Sequence, residues 1–122
     1  MKAEELIALA LKSAQEKGVI IKRGYIFDWS KDNNGLPFAC NAIGSVLLYL
    51  GKADMARGGF HKEWSDKVCE ALGEQHAWLW RFLHGWDYGN CLSFTVEEKG
   101  KEKVFYDEVS KNANKLALRW IK

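Results

Sequence analysis

The chain has 122 residues, 48% of them hydrophobic and 28% charged, with a formal net charge of +2. That length accommodates one domain around one core, and the composition is that of a folded protein, not of a disordered or low-complexity one. The balance of 18 basic against 16 acidic residues excludes any reading as a nucleic-acid or membrane-surface binder from charge alone, because such a footprint needs basic groups clustered on one face.

Residues 3–17 set Leu6, Ile7, Ala10, Leu11 and Ala14 at helical spacing, open with Glu4 and Glu5, and close with Lys17-Gly18. Acids first, then lysine and glycine last, is the order that the helix dipole and a C-cap favour. The stretch "VIIKRGYIF" (19–27) is β-branched and aromatic and predicts one or two short extended pieces around Gly24. "DWSKDNNGLP" is a turn-rich loop holding Asn34-Gly35 and the only proline, Pro37. From Pro37, "PFACNAIGSVLLYLGK" is apolar almost all round, ends at Gly51, and predicts a central buried helix. Residues 52–60 read as a connecting loop around Gly58-Gly59.

"HKEWSDKVCEALG" sets Trp64, Val68, Ala71 and Leu72 on one stripe and stops at Gly73; a fourth helix is expected from about Gln75 to Tyr88. "CLSFTVEE" alternates like a strand, with "KGK" as its turn. From about Glu102, the spacing of Phe105, Val109, Ala113, Leu116 and Trp120 predicts a last amphipathic helix. The expected architecture is therefore mainly α: a single small domain over 1–122, with five helices and a short extended segment or minor β-hairpin.

Three cysteines, Cys40, Cys69 and Cys91, are an odd number at spacings that fit no zinc pattern, which points to a reducing compartment. The opening "MKAEELIALALKSAQEKG" carries early acids and lacks the apolar run of a signal peptide, and nothing approaches the length of a membrane span. A cytoplasmic location without membrane contact is expected. The three histidines, His61, His76 and His84, have no i, i+4 ligand pair among themselves, so neither a metal nor a cofactor is expected.

Cys40 stands near the expected start of the buried helix, where a thiol pKa falls and where thiol peptidases and transglutaminase-like enzymes keep their nucleophile. "EQHAWLW" carries a His-Ala-Trp run similar to that of the transglutaminase-like group, although His76 opens a helical pattern where that group has a strand. Cys40 is the candidate catalytic residue on that resemblance, which implies a Cys-dependent hydrolase. The alternative reading makes Cys40 a small buried hydrophobe and, with Gly44, a ridge against which another helix packs.

Two further resemblances concern larger stretches. "WSDKVCEALGEQHAWLWRFLHG" (64–85) resembles the helix-turn-helix of phage-repressor-like DNA-binding domains, with Leu72-Gly73, Gln75, Leu79, Arg81-Phe82 and Gly85 at the matching places. It departs at Glu74, where that family has an apolar turn residue, and at Trp78 and Trp80, where base readout uses Arg, Asn, Gln, Ser or Thr. From about 37 to 118 the order of elements resembles small uncharacterised bacteriophage and bacterial proteins with a Cys-Ala-Leu-Gly-Ala-type helix. Cys40, Ala42, Gly44, Gly51, Trp86-Asp87 and Gly89 carry that likeness, which implies a phage or prophage setting but no particular activity.

The densest chemistry lies in "AWLWRFLHGWDYGN" (77–90). On a helix, Leu79, Phe82, Leu83 and Trp86 form a core stripe at i, i+3, i+4 and i+7, flanked by Trp78. Trp80, His84 and Tyr88 form a neighbouring stripe at i, i+4 and i+8, with Asp87 beside it. A small domain rarely buries both, and aromatics with a histidine and the nearby Arg81 have the composition of an interface hot spot. Asp87 opposes the helix dipole in the last turn, so it needs a partner: a backbone amide across the "DYGN" turn, Arg81, or a lysine from elsewhere. The expected function is that of a non-enzymatic accessory protein. It would bind a partner protein or a second copy of itself through Trp80, Arg81, His84, Asp87 and Tyr88. DNA binding by a helix-turn-helix is the alternative.

Overall fold

The computed structural model describes residues 2–56, 61–89 and 93–121, and for 93–96, 98 and 102–106 the backbone alone. Gly58, Gly59, Asn90 and Cys91 of the sequence reading lie outside the described residues. Helix α1 covers Ala3–Glu16 and buries Leu6, Ile7, Ala10, Leu11 and Ala14, the stripe that the apolar spacing predicts. Glu4 and Glu5 occupy its first turn, beside the unpaired N–H groups that favour negative charge.

Three two-residue strands follow: β1 (Ile20–Ile21), β2 (Phe27–Asp28) and β3 (Ala39–Cys40). The third is central, parallel to β1 with Ile21 opposite Cys40, and antiparallel to β2 with Phe27 opposite Cys40. The helix expected from Pro37 therefore begins later, and α2 runs Ala42–Tyr49. Asn41 makes the boundary. Its backbone is extended, and its side-chain oxygen accepts from the Gly44 N–H at 2.8 Å, which is how an asparagine caps a helix from outside it. Just upstream, the Cys40 carbonyl accepts from the Lys22 N–H at 2.9 Å, so this segment satisfies its backbone in a ladder. Cys40 thus lies in a strand and not at a helix start.

After a 3₁₀ turn at Ala53–Ala56 come α3 (His61–Leu72) and α4 (His76–Tyr88). Trp64, Val68 and Leu72 are buried as expected; Ser65 and Cys69 join them, while Ala71 is only partly covered. Strands β4 (Ser93–Glu98) and β5 (Lys101–Tyr106) then form an antiparallel hairpin, and α5 covers Glu108–Trp120. The last helix starts later than about Glu102, and Phe105 belongs to β5, opposite Phe94. Residues 101–106 pair with β4 along their whole length, and Asp107 then caps the helix by accepting from the N–H groups of Val109 (2.9 Å) and Ser110 (3.4 Å). Among the described residues the architecture is mainly α, with five helices, a small three-stranded sheet and the hairpin.

Two glycines let backbones touch in the core. A Cβ at Gly85 would sit 2.0 Å from the Ser110 carbonyl oxygen, so α4 and α5 pack backbone against backbone there. A Cβ at Gly44 would sit 2.0 Å from the Ile26 carbonyl oxygen. The ridge of Cys40 and Gly44 thus receives the segment leading into β2 and not another helix.

Candidate functional site

Helix α4 presents two faces of different fate. Leu79, Phe82, Leu83, Gly85 and Trp86 are buried. Trp78, Phe82 and Trp86 stack along the helix at centroid distances of 5.1 and 6.2 Å, and Trp86 closes the row by donating its indole N–H to the Lys22 carbonyl at 3.0 Å. One turn around, Trp80 is 47% exposed and Tyr88 68% exposed, with His84 half-buried between them. Trp80 meets the buried Trp64 of α3 edge-on at 6.0 Å, and the rings of His84 and Tyr88 lie 5.4 Å apart. With Gly24, Ile26, His61, Leu83 and Asp87, these side chains line an open groove of about 320 Å³.

Asp87 stands at the end of that groove. One carboxylate oxygen accepts from the Gly24 N–H and from the Asn41 side-chain amide, each at 3.0 Å; among the described residues the second accepts only from Asn41, at 3.4 Å. Arg23 lies beside it but spends its guanidinium elsewhere. It donates to the carbonyls of Trp86 (2.8 Å) and Gly85 (3.4 Å) and to the Asn114 side-chain oxygen (2.9 Å). Lys22 is drawn away by Asp28 at 2.5 Å and holds that carboxyl well below the usual carboxylate range. Burial pushes the Asp87 carboxyl up; the bonds from Asn41 and Gly24 and the charge of Arg23 pull against it.

The partner that Asp87 was expected to need is thus a backbone amide, but from the β1–β2 connection and not from its own turn. Gly89 does end α4 in the left-handed conformation, at φ 71°. Arg81 pairs with Asp107 at 3.2 Å and does not line the groove, so it stands apart from Trp80, His84, Asp87 and Tyr88.

Cys40 has no exposed surface, and burial pushes its thiol up to about 12, opposite to the activation a nucleophile needs. His76, the partner implied by the transglutaminase-like resemblance, instead joins α4 to α3 through Asp66 at 2.7 Å. Cys69 is buried as well, and burial first, then Asp66 and Glu74, push its thiol up. Among the described residues no three His, Cys, Asp or Glu side chains come together as a metal site.

Comparisons with protein-family models, curated proteins and solved structures return no match. Two of the groove's supporting residues escape the sequence reading. Asn41 carried a usable signal, an asparagine immediately before an apolar helical run. Arg23 carried none, since nothing local shows that it reaches the end of α4. A second cavity, about 370 Å³ and walled by Ile7, Trp78, Phe82, Val109 and Trp120 among others, also went unforeseen because it forms only where α1, α4 and α5 meet.

Proposed function

We propose that the protein is a non-enzymatic binding module whose docking surface is the outer face of α4, with a segment of a second protein as occupant. The observation that carries this is the outward display of Trp80 and Tyr88 on a helix whose other face already anchors the core. Large aromatics that stay half-exposed beside a groove are the side chains that dominate protein–protein hot spots. A second copy of the chain fits less well. A two-fold contact through this face would set two concave surfaces, each bearing an Asp87 carboxylate, against one another. DNA binding has less support, because Arg81, the basic residue of α4, is held by Asp107.

The test is selection of displayed peptides on the wild-type protein, followed by rebinding to Trp80→Ala/Tyr88→Ala. The docking reading expects peptides whose binding the double variant loses and whose NMR shift perturbations cluster on the outer face of α4. Peptides that bind the double variant undiminished, or that map elsewhere, would remove it. So would concentration-dependent dimerisation of the wild type, abolished by the same substitutions, since a second copy would then be the occupant.

A further inference from the structure

We infer that the groove of α4 accepts the alkylammonium group of a lysine side chain presented by the docked partner. The ammonium would lie between Tyr88 and Asp87, with the hydrocarbon stem along His84 toward Trp80. This assignment rests on the docking reading above and adds the chemistry of the occupant.

Three features of the groove point to a cation. Its exposed walls are aromatic, and the face of a Trp or Tyr ring attracts an ammonium through the ring quadrupole. Its end is lined by the Asp87 carboxylate, in the last turn of α4, where the Gly85 and Trp86 carbonyls already accept from Arg23. Among the described residues that charge is only partly answered: one Asp87 oxygen has a single long bond, Arg23 acts on it through its charge while its donors go to Trp86, Gly85 and Asn114, and Lys22 is held by Asp28. Burial accordingly penalises the ionised carboxyl, and a cation in the groove would relieve that penalty. The dimensions also suit a lysine. Trp80 and Tyr88 are eight residues apart on one helical stripe, about 12 Å at the helical rise, enough for an extended four-carbon stem and its ammonium.

The experiment follows the Trp80 indole N–H by NMR during titration with Nα-acetyl-lysine amide or Nα-acetyl-norleucine amide, which keeps the stem and lacks the ammonium. Saturable shifts with the lysine compound, and about fivefold weaker binding of the norleucine compound, are expected. Asp87→Asn keeps the acceptor for Gly24 and Asn41, and Tyr88→Leu keeps an apolar side chain at an exposed site. Each should weaken lysine about two- to fivefold and leave norleucine unchanged, whereas Trp80→Ala should weaken both. Equal affinity for the two compounds would overturn the lysine assignment while leaving an apolar docking groove intact. No binding of lysine by the wild type would overturn it as well, and the peptide selection would then judge the docking reading separately.

Discussion

The inner and outer faces of α4 both carry large aromatics, yet only one of them is locked in place. Inside, Phe82 and Trp86 stack in a row, Trp86 donates to Lys22, and Gly85 lies against the Ser110 backbone. Outside, Trp80 touches one buried ring and Tyr88 touches His84, and solvent reaches both. The difference teaches that aromatic content alone does not mark a site. What sets the outer stripe apart is large side chains that the fold leaves largely in solvent.

That contrast is sharpest where the inner face is disturbed. Trp86→Ala should cost about 4 kcal/mol of unfolding free energy, from a lost large aromatic and the cavity it leaves. Gly85→Ala should cost about 3 kcal/mol, because the atom its methyl group would meet is backbone, which yields poorly. Urea midpoints measure both. A loss below about 1 kcal/mol in either variant would mean that the inner face is not the anchor described.

Next in size comes the residue that ties the two faces to the rest of the chain. Asn41 is fully buried, caps α2 with its oxygen and serves Asp87 with its nitrogen. Asn41→Ala should cost about 3 kcal/mol, summing a lost cap and a buried carboxylate stripped of a donor. Asn41→Asp separates the two parts. Aspartate caps as well as asparagine does, but it replaces the amide donor with a second buried acid facing Asp87. A loss in this variant at neutral pH therefore reports the Asp87 side of Asn41, donor lost and like charge gained. Full stability of Asn41→Asp at neutral pH would show that contact to be idle.

How much of this could be read from the sequence follows the range of the forces involved. The two stripes of α4 and the buried face of α1 were legible because helical periodicity is local and the core rewards it. The start of α2 was misplaced because Ala39 and Cys40 are as apolar as the helix after them. Only pairing with Ile20–Ile21 and Phe27–Asp28 makes them a strand. The second strand of the hairpin reads as helix for a related reason: Phe105 and Val109 also satisfy an i, i+4 spacing. Asp87 was recognised as needing a partner from helix electrostatics alone, but its donors, Gly24 and Asn41, are brought in by tertiary structure.

Asp87 also gives the comparison a pH dependence. Its carboxyl is raised, mainly by burial, so the folded protein holds that proton to higher pH than the unfolded chain does. Stability from this residue is therefore greatest below the ordinary carboxylate range, falls as pH climbs toward the raised value, and stays reduced above it. Asp87→Asn removes the charge and its opposition to the α4 dipole, and should be worth about 0.5 kcal/mol more, relative to wild type, at pH 7 than at pH 3. Asp28 acts in the opposite sense, contributing stability above the ordinary carboxylate range that is lost as pH falls, so the measured quantity must be the difference between variant and wild type. A variant whose advantage shrinks from pH 3 to pH 7 would contradict the account of Asp87 as an under-compensated charge.

The smallest effects belong to the outer face, and their smallness is the point. Trp80→Ala should cost about 1 kcal/mol, the worth of one edge-on ring pair with Trp64 and partial burial. Tyr88→Ala should change stability by no more than about 0.5 kcal/mol, since most of the ring is already in water. Combined, the two substitutions should nonetheless abolish binding of the peptides selected on the groove. A face that can be stripped without harm to folding, yet not without harm to binding, is held for a partner. If either variant unfolds the protein as readily as Trp86→Ala does, the outer stripe is core after all, and the distinction between the two faces of α4 collapses.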